Sequence, residues 1–233
     1  MCQYGKAEYA EIRRWYRVSR KEVDIYAAAD QAIRQMNREA VEDFGKLKLT
    51  KWDRVSVIRT VLKVYRESAK KAKKRYYGVG FEAYLLGLYM CGIDGRKAHE
   101  MAEKAITNEW VDGILEQTDF ITLYRFDTET ERKAYRLAET LEADINRNRE
   151  IDKAMKYWSQ QLGQYALNFT DYAVVQAFMD AGITEVEWVS ERDDKVCGEC
   201  RELDGRVFRI DELPRKPHWG CRCRIRPVLK KEE

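Results

Sequence analysis

Cys197-Gly198-Glu199-Cys200 and His218-Trp219-Gly220-Cys221-Arg222-Cys223 decide how the C-terminal part of this chain is read. Two thiols at C-x2-C spacing can approach one ion from a tight turn, and Gly198 eases the backbone there. The second cluster supplies an imidazole and two more thiols. Zinc takes four nitrogen or sulfur ligands in a tetrahedron, so two from each cluster would close a site. Five residues compete for the four positions. Cys197 and Cys200 come first, and His218 with Cys221 is the leading second pair. Cys223 lies one strand period beyond Cys221 and is the alternative fourth ligand. Two disulfides or buried free thiols are the competing readings, but clustering in a chain without an export signal favours metal. A site with enough ligands to fill its shell is structural, whereas a catalytic zinc keeps an open position. Binding needs a neutral imidazole and ionised thiols, so it weakens at low pH.

The residues around these clusters read as a small α+β module at about 184–229. After Gly182 the pattern changes from helical to alternating, with Val186, Trp188 and Ser190 on one face. Asp204-Gly205 is a hairpin turn signal ahead of Val207-Phe208-Arg209-Ile210, and that hairpin is expected to bring the two clusters together. Cys223 to Leu229 reads as a final edge strand, because Pro227 has no amide hydrogen to donate. Trp188 and Phe208 are the expected packing residues. Asp193-Asp194 reads as a turn before the first knuckle.

Working outward, all three prolines, Pro214, Pro217 and Pro227, lie near the C-terminal end, and the long stretch before them has none. That stretch reads as a helical body. Ser19-Arg20-Lys21-Glu22 fits a capping box that opens a helix carrying Tyr26, Ala29, Ile33, Met36 and Ala40 and ending at Gly45. Thr50-Lys51-Trp52-Asp53 opens a second, with a stripe of Val55, Ile58, Leu62, Tyr65, Ala69 and Ala72 and a stop near Gly78. Shorter helices fit Phe81–Met90 and Arg96–Leu115. Thr128-Glu129-Thr130-Glu131 opens another, and a last one runs from about Glu150 to Asp180 with Gly182 as its cap. The expected fold is therefore mainly α: a helical body over 1–147, followed by 148–233 with its zinc-binding module. The stripes read as core or as surface for a partner helix.

Composition bounds the function. Hydrophobic residues make 45% of the 233 and aromatics 12%, which is enough for a real core. The 36% of charged residues suits long helices with solvated faces or surfaces made for partners. The net charge of +3 gives no general attraction to nucleic acid. The most apolar run, Tyr84–Ile93, is short and broken by Gly87 and Gly92, so no membrane association is expected. Met1–Arg20 is charged throughout and has no signal-peptide core. The expected site of synthesis is a reducing cytoplasm. No phosphate loop, no G-x-S-x-G and no H-E-x-x-H is present, and of the two histidines His99 reads as a helix residue. The chain is expected to have neither catalytic activity nor a small-molecule substrate.

Two basic stretches could meet a polyanion. Lys70, Lys71, Lys73, Lys74 and Arg75 precede two tyrosines, a pattern that can combine phosphate contact with stacking. Cations at a helix end are also favoured by the dipole alone. In the tail, Arg222, Arg224 and Arg226 alternate opposite Cys221 and Cys223 and could face DNA or an acidic protein surface.

The ordered set Gly182-Ile183, Trp188, Asp193, Cys197-x2-Cys200, Asp204-Gly205 and Pro217-His218-x2-Cys221-Arg222-Cys223 resembles the C-terminal domain of phage Mu F-like head morphogenesis proteins, also called minor head or minor capsid proteins. The likeness covers about Asn148 to Leu229. Two features depart from it. Gln160-Gln161-Leu162-Gly163-Gln164 stands where the family often has an Arg and acidic pair, and Trp219-Gly220 stands where Pro-Asn is more usual. The resemblance implies a low-copy structural component of the virion, present in the host cytoplasm during assembly. Its implied partners are the phage portal or major capsid protein, with packaged DNA as a further contact. Some relatives carry a toxin domain after the motif, and none is expected after Cys223 here. The alternative reading is a nucleic-acid-binding zinc protein with no part in virion assembly.

Overall fold

In the computed structural model, which describes residues 6–47, 53–116, 125–143, 146–191, 193–218 and 220–229, long helices precede a small antiparallel sheet. Helix α1 spans Lys6–Gly45, α2 Arg54–Met90, α3 Gly95–Ala105, α4 Asn108–Leu115, α5 Phe126–Ala143 and α6 Arg147–Asp180. Strand β1 follows at Glu185–Val189, then the short helix α7 at Gly198–Leu203, β2 at Val207–Arg209 and β3 at Arg224–Pro227. The sheet order is β2-β1-β3, with both pairs antiparallel. The mainly α body and the small sheet agree with the sequence reading.

Several expected boundaries are corrected. Ser19–Glu22 lies inside α1 and opens nothing. Gly78 does not stop α2, which continues through Gly80 to Met90 as one helix. A glycine costs a helix about 1 kcal/mol, and the burial of Tyr76, Val79, Ala83 and Tyr84 around these glycines outweighs that. Conversely, Arg96–Leu115 is two helices. Ile106 leaves helical backbone (φ −99°, ψ 93°), and the Thr107 hydroxyl caps α4 by accepting from the Trp110 amide at 3.2 Å. Thr50–Trp52 lie outside the described residues, while Asp53 caps α2 by accepting from the Ser56 amide at 3.0 Å. The α2 core face is Val57, Val61, Val64, Tyr65, Ala69 and Ala72, and Val55 is 63% exposed. The expected stripe therefore begins off the true face and joins it at Tyr65. At the end of α6, Gly182 adopts φ +76°, and Ile183 N–H reaches back to the Phe178 carbonyl at 2.9 Å. This is the glycine cap the sequence suggests.

The chain forms two compact units, each drawn from separated stretches. One comprises residues 30–79 and 107–169. Its core is aromatic: Tyr76 stacks on Phe169 at 4.8 Å, Tyr65 meets Phe44 and Trp158 edge-on at 5.1 Å, and Phe126 meets Tyr165 at 5.0 Å. Two of the buried polar tips find partners within this unit. Trp158 Nε1 donates to Ser68 Oγ at 3.0 Å, and the Tyr76 hydroxyl to the Leu162 carbonyl at 3.1 Å.

The other unit comprises residues 1–29, 80–106 and 170–233 and holds the whole C-terminal module. Here α2 and α6 approach closely at Gly87, where an added Cβ would lie 2.9 Å from the Ala177 Cβ. Tyr84 donates to Asp180 at 2.6 Å. In β1, Val186 and Trp188 are fully buried while Glu185 is exposed, as the alternation requires.

Candidate metal centre

The first knuckle opens α7. Cys197 is the N-cap, and its Sγ accepts from the Cys200 amide at 3.4 Å. That hydrogen bond, with further help from His218, holds the Cys197 thiol below its ordinary value despite some desolvation, which favours the ligand form. Cys200 is buried one turn into the helix, and burial pushes its thiol well up. Burial also raises Cys221. Neither buried thiol ionises readily on its own, so a cation bound there would have to displace their protons.

The second cluster closes over the first. His218 and Cys221 form a turn in which the Cys221 amide donates to the His218 carbonyl at 3.3 Å and Gly220 takes φ +71°. His218 Nε2 lies 3.4 Å from Cys200 Sγ, and Cys221 Sγ lies 3.6 Å from it. With Zn–S about 2.3 Å and Zn–N about 2.0 Å, the edges of a tetrahedral site are about 3.8 Å for S···S and 3.5 Å for S···N. The contacts around Cys200 match those edges. Cys197, Cys200 and His218 form one triplet of ligand atoms within 4.8 Å of one another, and Cys200, Cys221 and Cys223 form another. All five sequence candidates are thus gathered at one place, with Cys200 common to both triplets. The donor set, soft sulfur with one imidazole, suits a metal ion of zinc type.

The means of gathering differ from the expected hairpin. Asp204-Gly205 does not join two neighbouring strands. It leads from α7 into β2, which pairs with β1, so the connection between the paired strands contains the whole first knuckle. Gly205 takes φ +74° and donates to the Trp188 carbonyl at 2.8 Å, while Asp204 Oδ1 accepts from the Ser190 amide at 2.8 Å. Strand β3 pairs with the other side of β1, setting Trp188 opposite Ile225 and Val186 opposite Pro227. The edge position expected from Pro227 is the observed one. Trp188 is fully buried, and Phe208 is half-buried under Arg206.

Three further residues complete the arrangement. Asp193 receives both guanidinium nitrogens of Arg222 at 2.7 Å and the Lys195 amide at 3.1 Å, so it ties the first ligand segment to the second. Arg222 holds the Asp193 carboxyl below the ordinary aspartate value. Ser190 donates its hydroxyl to the Cys200 carbonyl at 2.6 Å. Glu22, on α1, receives Arg226 at 2.9 Å and faces Arg224 at 3.6 Å. An Asp four residues before a C-x2-C and an Arg inside C-x-C are readable as a pair. Nothing local in the sequence marks Glu22.

The basic residues singled out for polyanion contact are mostly engaged within the chain. Lys71 pairs with buried Asp43 at 2.5 Å, Arg75 with Glu39 at 2.5 Å and Lys73 with Asp127 at 3.2 Å. Arg222 pairs with Asp193, Arg224 with Glu191 and Arg226 with Glu22. Lys70 and Lys74 are exposed. His99 stands exposed on α3, its Nδ1 3.1 Å from the Gly95 carbonyl. Among the described residues no helix is long and apolar enough to cross a membrane.

Fold and site together give a mainly helical chain with a small sheet, beside which a cluster of cysteines and one histidine could hold a metal ion. Residues 136–226, from within α5 to β3, match the family described as Phage Mu protein F like protein. The chain thus carries a Phage Mu F-like region. No curated protein and no solved structure matches the chain.

Proposed function

We propose that this chain is a minor head protein that serves virion assembly by contact and not by catalysis, and that a structural zinc ion closes its C-terminal module. The observation that carries the reading is the convergence of Cys197, Cys200, His218, Cys221 and Cys223 inside the Phage Mu F-like region. A module with a three-stranded sheet has little core of its own, so a metal is its natural source of stability. The partner surface belongs to the portal or the inner capsid, and packaged DNA is a secondary contact. A stand-alone nucleic-acid-binding role is the weaker reading, because six of the eight basic residues named for it are neutralised by internal carboxylates.

The test is sedimentation of nuclease-treated particles from cells that make the phage, with the wild-type chain or with Cys197→Ser/Cys200→Ser. The wild type should travel with heads, and the variant should be lost from them or leave fewer heads. A wild-type chain that stays at the top of the gradient, yet binds duplex DNA with a steep salt dependence, would overturn the assembly role in favour of free DNA binding.

A further inference from the structure

The basic stretch Lys70–Arg75 is not one patch, because consecutive residues turn round a helix by about 100°. Lys71, Lys73 and Arg75 turn to Asp43, Asp127 and Glu39. The cations that share a face of α2 are a different set: Arg59, Lys63, Arg66, Lys70 and Lys74, at steps of four, three, four and four residues. We propose that this row is a contact for the phosphate backbone of duplex DNA, independent of sequence. The proposal deepens the assembly reading above, in which packaged DNA is a secondary contact, and rests on it.

The five positions fall within about 80° of arc, opposite the buried Val57, Val61 and Ala72. All five residues are exposed, with the side chains of Lys63 at 74% and Arg66 at 61%. A groove of about 390 Å³ lies among Arg59, Leu62, Lys63, Arg66, Glu67 and Lys70, which leaves the stems of the row room to swing toward a ligand. Internal carboxylates hold little of the row. Glu67 stands 3.9 Å from Lys63, and Glu131 pairs with Arg66 at 2.5 Å. Among the described residues Arg59, Lys70 and Lys74 have no ion pair. Like charges four residues apart destabilise a helix, and three such pairs occur here: Arg59 with Lys63, Arg66 with Lys70, and Lys70 with Lys74. An external polyanion would relieve that repulsion.

The chemistry of the face selects a phosphate backbone over an acidic protein. Protein interfaces are anchored by aromatic and other apolar residues at their centre, and lysine is depleted there. Here the bordering apolar residues, Leu62 and Tyr77, are packed against the core, and three of the five residues in the row are lysine. From Arg59 to Lys74 the row is about 22 Å long, a length over which one strand of duplex presents about six phosphates. Five cations thus meet a ladder of opposite charge at similar density. Lysine and arginine contacts to phosphate carry no sequence information, and the row holds no Asn or Gln to read an adenine edge.

The experiment titrates the full-length chain, purified under reducing conditions, onto two fluorescent duplexes of unrelated sequence and follows anisotropy at several salt concentrations. Each phosphate contact adds about 0.9 to the slope of log affinity against log salt, so five give a slope of about −4.5 and binding about 500-fold weaker at about 200 mM salt than at about 50 mM. Lys70→Gln/Lys74→Gln should flatten the slope by about 1.8. Arg59→Gln/Lys63→Gln/Lys70→Gln/Lys74→Gln should leave binding barely dependent on salt, and the two-site variant decides alone should the four-site variant lose helicity by circular dichroism. Lys97→Gln/Lys104→Gln, which removes two exposed cations from α3, should bind as the wild type does. An unchanged slope in Lys70→Gln/Lys74→Gln, an equal loss in the α3 control, a marked preference for one duplex, or no binding by the wild type at the lower salt would each overturn the DNA contact while leaving the assembly role standing. So would a four-site variant that binds DNA as the wild type does but no longer sediments with heads, an outcome that gives the row to an acidic protein surface. A wild-type chain that binds duplex as expected yet never sediments with heads would overturn the assembly reading, and with it packaged DNA as the occupant.

Discussion

Deleting the two arginines that face Glu22 should cost more stability than deleting Glu22. Glu22 is 2% exposed, and its Oε2 accepts from Arg226 Nη2 at 2.9 Å and Nε at 3.3 Å. Its Oε1 is buried with no hydrogen bond and has only Arg224 at 3.6 Å for company. The arginines are better provided for. Their side chains keep 25% and 22% exposure, and each has a second carboxylate, Glu191 for Arg224 and Glu187 for Arg226. Arg224→Ala/Arg226→Ala therefore strands a buried charge, for which about 3–5 kcal/mol is the ordinary cost. Glu22→Gln leaves the guanidiniums partly solvated and paired, and should cost about 1–2 kcal/mol. Adding Glu22→Leu to the arginine double variant removes the stranded carboxylate and should recover about 2 kcal/mol or more. Urea unfolding followed by circular dichroism reads these as shifts of midpoint at constant slope. Equal costs for the two deletions, or no recovery in the triple variant, would refute the claim that these tail arginines hold the sheet to α1.

Other consequences are simpler to check. Gly87→Ala gains about 1 kcal/mol of helix propensity but drives a methyl to 2.9 Å from Ala177. Neither backbone-borne carbon can swing away, and overpacking costs about 1–3 kcal/mol, so the melting temperature should fall. Gly78→Ala, exposed in the same helix with nothing within 4 Å of the new methyl, should raise it. Glu129 is largely buried, and burial alone would raise its pKa, yet Arg132 and Lys133 outweigh that and hold the carboxyl below the ordinary glutamate value. A lowered folded pKa means stability that is present above the unfolded value, about 4.3, and is lost as pH falls through the folded value. Stability of the wild type should therefore drop more steeply below about pH 5 than that of Glu129→Gln, as measured by urea midpoints across pH.

Most of the site is legible in the sequence alone, because metal ligation is local chemistry written in residue type and spacing. C-x2-C and P-H-x2-C-x-C name the candidate ligands that the fold brings together, and the alternation of Val186, Trp188 and Ser190 names the inward face of β1. The helix boundaries are less legible. Gly78 and Ser19 carry real local preferences, each worth about 1 kcal/mol, and continuous burial along α1 and α2 overrides them. The start of the α2 stripe misleads because Val55, Ile58 and Leu62 repeat at helical spacing almost as well as Val57, Val61 and Val64, and only packing tells the two faces apart. Alternation shows that the tail arginines share a face but not what covers it, so an outward orientation is the natural expectation. Glu22, far off in sequence, covers Arg224 and Arg226, and Asp193 takes Arg222. Ser190 reads locally as one more small inward residue. Its hydroxyl acquires meaning only when the Cys200 carbonyl and Cys223 are brought to it.

The central claim is that a metal ion closes the C-terminal module, and native mass spectrometry of the full chain purified under reducing conditions tests it most directly. Made beside a Cys197→Ser/Cys200→Ser variant, the wild type should carry about one zinc per chain, a stoichiometry set by one tetrahedral site, and the variant should carry none and lose the protection of β1 and β3 against hydrogen exchange. A wild-type chain with no bound metal, all thiols free and the three-stranded sheet still protected would contradict the account.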